Sequence, residues 1–72
     1  MRIRYYHIVI ISNIGGQPKG AKWRNIRMDA NGFTMNTRRA LMQYFPLLTH
    51  VNCYDARTGA YIKQVRRADI WP

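Results

Sequence analysis

From Ile3 to Ser12 the chain carries Ile, Val or Tyr at most positions. Successive side chains of a strand point to opposite faces. One face of this segment reads Ile3, Tyr5, His7, Val9, Ile11, and the other reads Arg2, Arg4, Tyr6, Ile8, Ile10. In the second half both faces are apolar. A strand apolar on both sides sits inside a sheet rather than at its edge. The segment therefore predicts a sheet with this strand in its interior.

The remaining segments follow from punctuation and periodicity. Residues 13–20 hold Asn13, Gly15, Gly16, Pro18 and Gly20, which predicts a flexible hairpin loop. Residues 21–29 predict a second strand with poor alternation, anchored by Trp23 and Ile26, with Arg24 and Arg27 exposed. Asn31-Gly32 is a turn signal. Thr34 to Phe45 predicts a helix with Thr34 as N-cap and Phe33 as the staple residue before it, Asn36 being the competing cap. Leu41, Tyr44, Phe45 and Leu48 continue its apolar stripe, and Pro46 ends it. Thr49 to Asp55 predicts a third strand. Asp55-Ala56-Arg57-Thr58-Gly59 is a hairpin turn in which the Asp carboxylate bonds the backbone ahead and Gly59 takes a positive φ. Ala60 to Arg67 returns as a fourth strand, and residues 68–72 form a tail from which Ile70 and Trp71 can pack back. The expected fold class is α+β. It is a single small domain over residues 1–72, ordered ββαββ, an antiparallel sheet with one helix packed on one face. Leu41, Phe45, Val9 and Ile11 are the expected core between helix and sheet. The uncovered face is left to hold many of the arginines and several tyrosines.

Charge narrows the function. Twelve Lys and Arg stand against three acids, Asp29, Asp55 and Asp69, for a formal net charge of +9. Nine of the twelve are Arg, the better bidentate donor to phosphate and carboxylate. An excess of like charge destabilises a small compact state, so an anionic partner is expected: nucleic acid or an acidic protein surface. No apolar stretch approaches the roughly 18 residues of a membrane span. Arg2, Arg4 and Ile8 to Ile11 mimic a secretory leader, but the apolar run is short and no small-residue cleavage site follows. A cytoplasmic protein is expected. The lone Cys53 forms no internal disulfide.

The candidate binding residues are Lys22, Arg24, Arg27, Arg38, Arg39, Tyr61, Lys63, Arg66 and Arg67. Arg38 and Arg39 lie in the first turns of the helix, where the macrodipole disfavours cations and free N–H groups invite an anion. Lys63 and Arg67 share one face of the last strand in ideal alternation, with Tyr61 on the same face and Arg66 opposite. Cations interleaved with aromatics are what single-stranded nucleic-acid platforms use, and Trp23, Tyr6, Tyr54 and Tyr61 are candidate stacking residues. An edge strand guarded by charge would look the same.

Other chemistry finds less support. Gly15-Gly16-Gln17-Pro18-Lys19-Gly20 lacks the Gly-Lys-Ser/Thr of a phosphate loop. His50 and Asp55 fall on opposite strand faces, which leaves a metal-independent, His-based nuclease as a distant third reading, and no catalytic residue is assigned. One Cys and two separated His do not make a metal site, and no cofactor is implied. Cys53 and Val51 share the inner face of their strand, which predicts a buried inert thiol.

In format the chain resembles a loose group of very small phage-encoded proteins, among them anti-CRISPR proteins and RNA polymerase inhibitors, several of which place one helix on a small antiparallel sheet. That resemblance implies docking on an acidic surface of a host protein in the host cytoplasm. The residues themselves favour a non-enzymatic module that binds nucleic acid or a nucleic-acid-processing complex through an Arg-rich surface. Two copies could also pair through a sheet edge.

Overall fold

A computed structural model describes residues 4–29 and 32–71. The expectations for Arg2, Ile3, Asn31 and Pro72 lie outside the described residues. The elements in chain order are β1 (Arg4–Ile14), β2 (Gln17–Asp29), β3 (Gly32–Phe33), α1 (Met35–Tyr44), β4 (Leu48–Asp55), β5 (Tyr61–Arg66) and a short helical turn α2 (Arg67–Ile70). They form a small α+β domain around one five-stranded antiparallel sheet, ordered β3-β2-β1-β4-β5. β1 lies in the middle, as expected. The sheet has one strand more than the sequence predicts, because two residues, Gly32 and Phe33, pair with Asp29 and Met28. None of the helices among the described residues is long and apolar enough to cross a membrane.

The expected loop over residues 13–20 is mostly strand. Gly15 (φ 60°) and Gly16 (φ 80°) alone make the turn, and Ile14 already pairs with Gln17. Positive φ at both central residues is the two-residue hairpin geometry that matches strand twist. Pro18, opposite Asn13, sits one step beyond the hydrogen-bonded closing pair, so its missing N–H would have pointed away from β1. β3 reaches only Met28 and Asp29, so no ladder bond is lost there.

The poor alternation of β2 has a physical cause. Tyr6 pairs with Ile26 but Ile8 pairs with Trp23, so Arg24 and Asn25 together oppose His7. This is a β-bulge, with Asn25 at φ 56° in the left-handed region and its N–H donated to His7 Nδ1 at 3.3 Å. The extra residue resets the phase. Ala21 and Trp23 before it share a face with Ile26 and Met28 after it, beside Ile10, Ile8, Tyr6 and Arg4 in turn. Asn tolerates this conformation where β-branched residues do not. Asn25→Val is expected to cost about 1–2 kcal/mol, read as a lower urea midpoint, whereas Asn25→Gly should be near neutral.

Two further irregularities act alike. Ile11 pairs with His50 and Ser12 with Leu48, which leaves Thr49 as the extra residue, its hydroxyl donated to the Ile11 carbonyl at 3.0 Å. Leu48 thereby enters the core as the first residue of β4 and not as part of the helical stripe. Cys53 pairs with Lys63 and Tyr54 with Tyr61, so Ile62 is extra. Bulges increase local twist, and the sheet curls until β3 and β5 line one cavity of about 300 Å³ with Met28 and Asp69.

The core is Tyr6, Ile8 and Ile10 of β1, Met28, Phe33, Leu41 of α1, Leu48, Val51, Cys53 and Ile70 of α2. Trp23, Ile26, Phe45, Val65 and Trp71 pack against it. This corrects the expected core. Leu41 is buried, but Phe45 is half-buried, and Val9 and Ile11 lie half-exposed on the opposite face of β1. Both faces of β1 are apolar, so its own pattern could not choose between them. The start of α1 is as the sequence predicts: the Thr34 hydroxyl accepts from the Thr37 N–H. The last residues are not a free tail. Ile70 is buried, and the Trp71 indole N–H reaches the Arg38 carbonyl at 3.3 Å.

Candidate nucleic-acid interface

The phase that buries Tyr6, Ile8 and Ile10 sends Tyr5, His7, Val9 and Ile11 to the other face of the sheet. The ladders then set out rows across it. His7 stands beside Tyr54, and Tyr54 beside Tyr61. Lys22, Val9, Asn52 and Gln64 form a second row, and Gly20, Ile11, His50 and Arg66 a third. Arg27 stands beside Tyr5. Neighbouring strands are about 4.8 Å apart, so each row is a line of close side chains. The rings of Tyr54 and Tyr61 meet edge to face at 5.6 Å between centroids. Tyr5 and Tyr61 are each 55% exposed, leaving much of each ring's apolar surface in water.

The cations of this face lie around the aromatic row. Lys22, Arg24 and Arg27 come from β2 and Arg66 from β5, all exposed. Among the described side chains no carboxylate shares the face. Asp55 falls in the phase of Tyr6 and turns into the hairpin. Its carboxylate accepts the N–H groups of Arg57 at 2.7 Å and Thr58 at 3.0 Å, and those bonds from Thr58 and Arg57 hold its pKa below the usual carboxylate value. The turn closes as its sequence predicts, with Gly59 at φ 78° and its N–H on the Asp55 carbonyl.

Both histidines lie on this face, each with one ring nitrogen committed. A backbone N–H can only donate, so His7 Nδ1 is an acceptor and the neutral ring carries its proton on Nε2. The Thr49 hydroxyl gives its proton to the Ile11 carbonyl, so it accepts from His50 Nδ1 at 3.1 Å.

The nine predicted binding residues divide. Lys22, Arg24, Arg27, Tyr61 and Arg66 gather on the open face. Lys63 does not: the bulge at Ile62 puts it in the phase of Cys53, opposite to Tyr61, where the alternation expected from sequence had joined them. Arg67 leaves the strand altogether. Its guanidinium donates to the carbonyls of Pro46 at 2.8 Å and Leu48 at 3.0 Å and stacks over Trp71 at 5.1 Å from the ring centroid. It ties α2 to the start of β4. Arg38 donates its Nε–H to the Phe33 carbonyl at 3.0 Å, while Arg39 is exposed on α1, away from the open face. Of the predicted stacking residues, Tyr6 belongs to the core and Trp23 packs against it, with the Trp23 ring 5.4 Å from that of Phe45. Tyr54 and Tyr61 remain. Sequence reasoning missed Tyr5 and His7 as surface groups, although both fall in one phase of the β1 alternation.

Cys53 is a free, buried thiol, and burial pushes its pKa up to about 11 against the opposing pull of the Lys63 ammonium. Among the described residues no three His, Cys, Asp or Glu side chains gather where they could hold a metal ion. No family model matches the chain, and no curated protein and no solved structure matches it.

Proposed function

We propose that this protein is a non-enzymatic nucleic-acid-binding module of the cytoplasm, with the open face of the sheet as its binding surface. One observation carries the reading: the row His7, Tyr54, Tyr61 is surrounded by Lys22, Arg24, Arg27 and Arg66 on a face without a carboxylate among its described side chains. Phosphates meet the cations, which supply affinity through counterion release. Bases meet the tyrosine rings, whose exposed surface is otherwise a cost in water. In this reading the two sides of the sheet divide the labour. Leu41 of α1, Phe33 and Ile70 of α2 join the core on one side, and the other side is kept for the ligand.

The test is the salt dependence of binding to a labelled oligonucleotide. Four cations in contact give a slope of log affinity against log salt of about −3 on a single strand and nearer −4 on a duplex. A flat dependence, or no binding at low salt, overturns the reading and turns attention to an acidic protein as the partner.

A further inference from the structure

A hollow of about 210 Å³ opens on the proposed binding face, lined by His7, Val9, Lys22, Tyr54 and Gly59. That is the scale of one flat heterocycle and not of a whole nucleotide chain. Its lining is uneven in a useful way. Val9 and the Tyr54 ring give apolar contact. Gly59 contributes no side chain, and its own N–H is spent on the Asp55 carbonyl. The polar side-chain groups are His7, Lys22 and the Tyr54 hydroxyl, which can donate or accept.

His7 and Lys22 present donors. The Asn25 N–H occupies His7 Nδ1 and leaves the N–H of Nε2 as the free end of the ring. The Lys22 ammonium has only donors. A base entering between them is favoured if it presents two acceptors side by side. Guanine does so with O6 and N7, whereas adenine sets the N6 amino donor beside N7, donor against donor.

We propose that the open face takes single-stranded nucleic acid and that this hollow seats one guanine of it, with O6 and N7 turned to His7 and Lys22 and the ring against Tyr54. The proposal rests on the nucleic-acid reading above and adds the state of the strand and the identity of one base. A base in a duplex is stacked and paired, and reaching the hollow would cost its extrusion. A single strand has its bases free to splay onto aromatic side chains.

The experiment measures fluorescence anisotropy with labelled probes at fixed low salt. One probe is an oligothymidine of about 12 nucleotides, within the range of sites that such platforms cover. Others carry one central guanine, adenine or 7-deazaguanine, and the last is a duplex of the same length. The guanine probe should bind about ten-fold more tightly than the adenine probe. Replacing N7 by carbon should remove several-fold of that gain, with the protein itself unaltered. The duplex should bind more weakly than the single strand. In the variant His7→Asn the amide oxygen can still take the Asn25 N–H, but the donor at the ring tip is gone. Its preference for guanine should shrink to within about two-fold, read as the ratio of guanine to adenine binding on the variant itself. Equal binding of guanine and adenine probes, equal binding of the deaza probe, or a duplex bound as well as the single strand overturns this proposal and leaves the nucleic-acid reading standing. Failure of every probe to bind removes both.

Discussion

Ile8→Ala is expected to remove about 3 kcal/mol of stability, and the neighbouring Ile11→Ala less than about 1 kcal/mol. Both are isoleucines of one strand. Ile8 is fully buried at the centre of the sheet, between Trp23 on β2 and Cys53 on β4. Ile11 lies half-exposed on the open face. Truncation of Ile8 loses the transfer free energy of its methyl and methylene groups and leaves a void that the rigid ladders on both sides cannot close. A chain of this length has of the order of 4–11 kcal/mol to lose, so the first variant should melt far earlier than the parent. Urea midpoints on the two variants decide the point. Equal losses would mean that the two faces of β1 are wrongly assigned, and with them the binding surface.

Replacing Lys22, Arg27 and Arg66 together by Gln is expected to weaken binding to a single strand about 100-fold near 0.1 M salt. Each phosphate contact adds about 0.7 to the salt slope, so three lost contacts flatten the slope by about 2. The same three account for about two decades of affinity between 1 M and 0.1 M salt. The fold should be spared or slightly strengthened, since three members of a repelling set are gone. Arg67→Ala should do the reverse. Its guanidinium is committed to the Pro46 and Leu48 carbonyls, and loss of charged hydrogen bonds costs about 1–3 kcal/mol. Melting and anisotropy on the same preparations separate the two kinds of arginine. An Arg67 variant that is stable and loses binding, beside a triple variant that keeps it, would move the interface off the open face to α2 and the start of β4.

The residues that could be read in advance are those whose chemistry is local. Thr34 caps the helix with its own hydroxyl, Pro46 closes it, and Asp55 and Gly59 shape a turn within five residues. Each acts on its neighbours in sequence. The interior place of β1 matched its run of Ile, Val and Tyr, although one of its two apolar faces is the open one. What escaped was phase. The bulges at Asn25, Thr49 and Ile62 each shift a strand by one residue, and a bulge is defined by the partner strand it faces. Nothing within β5 says that Tyr61 and Lys63 part, because the cause lies in how β4 pairs with it. Arg67 was misplaced for the same reason. Its carbonyl partners are about twenty residues away, and a cation in a strand pattern looks alike whether it meets solvent, phosphate or backbone.

The central position of β1 also orders events in time. Its first neighbour, β2, follows after two glycines, and such a hairpin closes in about 1–10 μs. Its second neighbour, β4, is separated from it by β2, β3 and α1, so that pairing bears a larger loop-closure cost and comes later. Until β4 docks, the β4-facing edge of the most apolar strand in the chain is bare. An unpaired edge of that kind recruits other copies of itself. The protein's hazard therefore lies in its nascent state, where dilution and the mutual repulsion of its cations protect it until the second ladder forms.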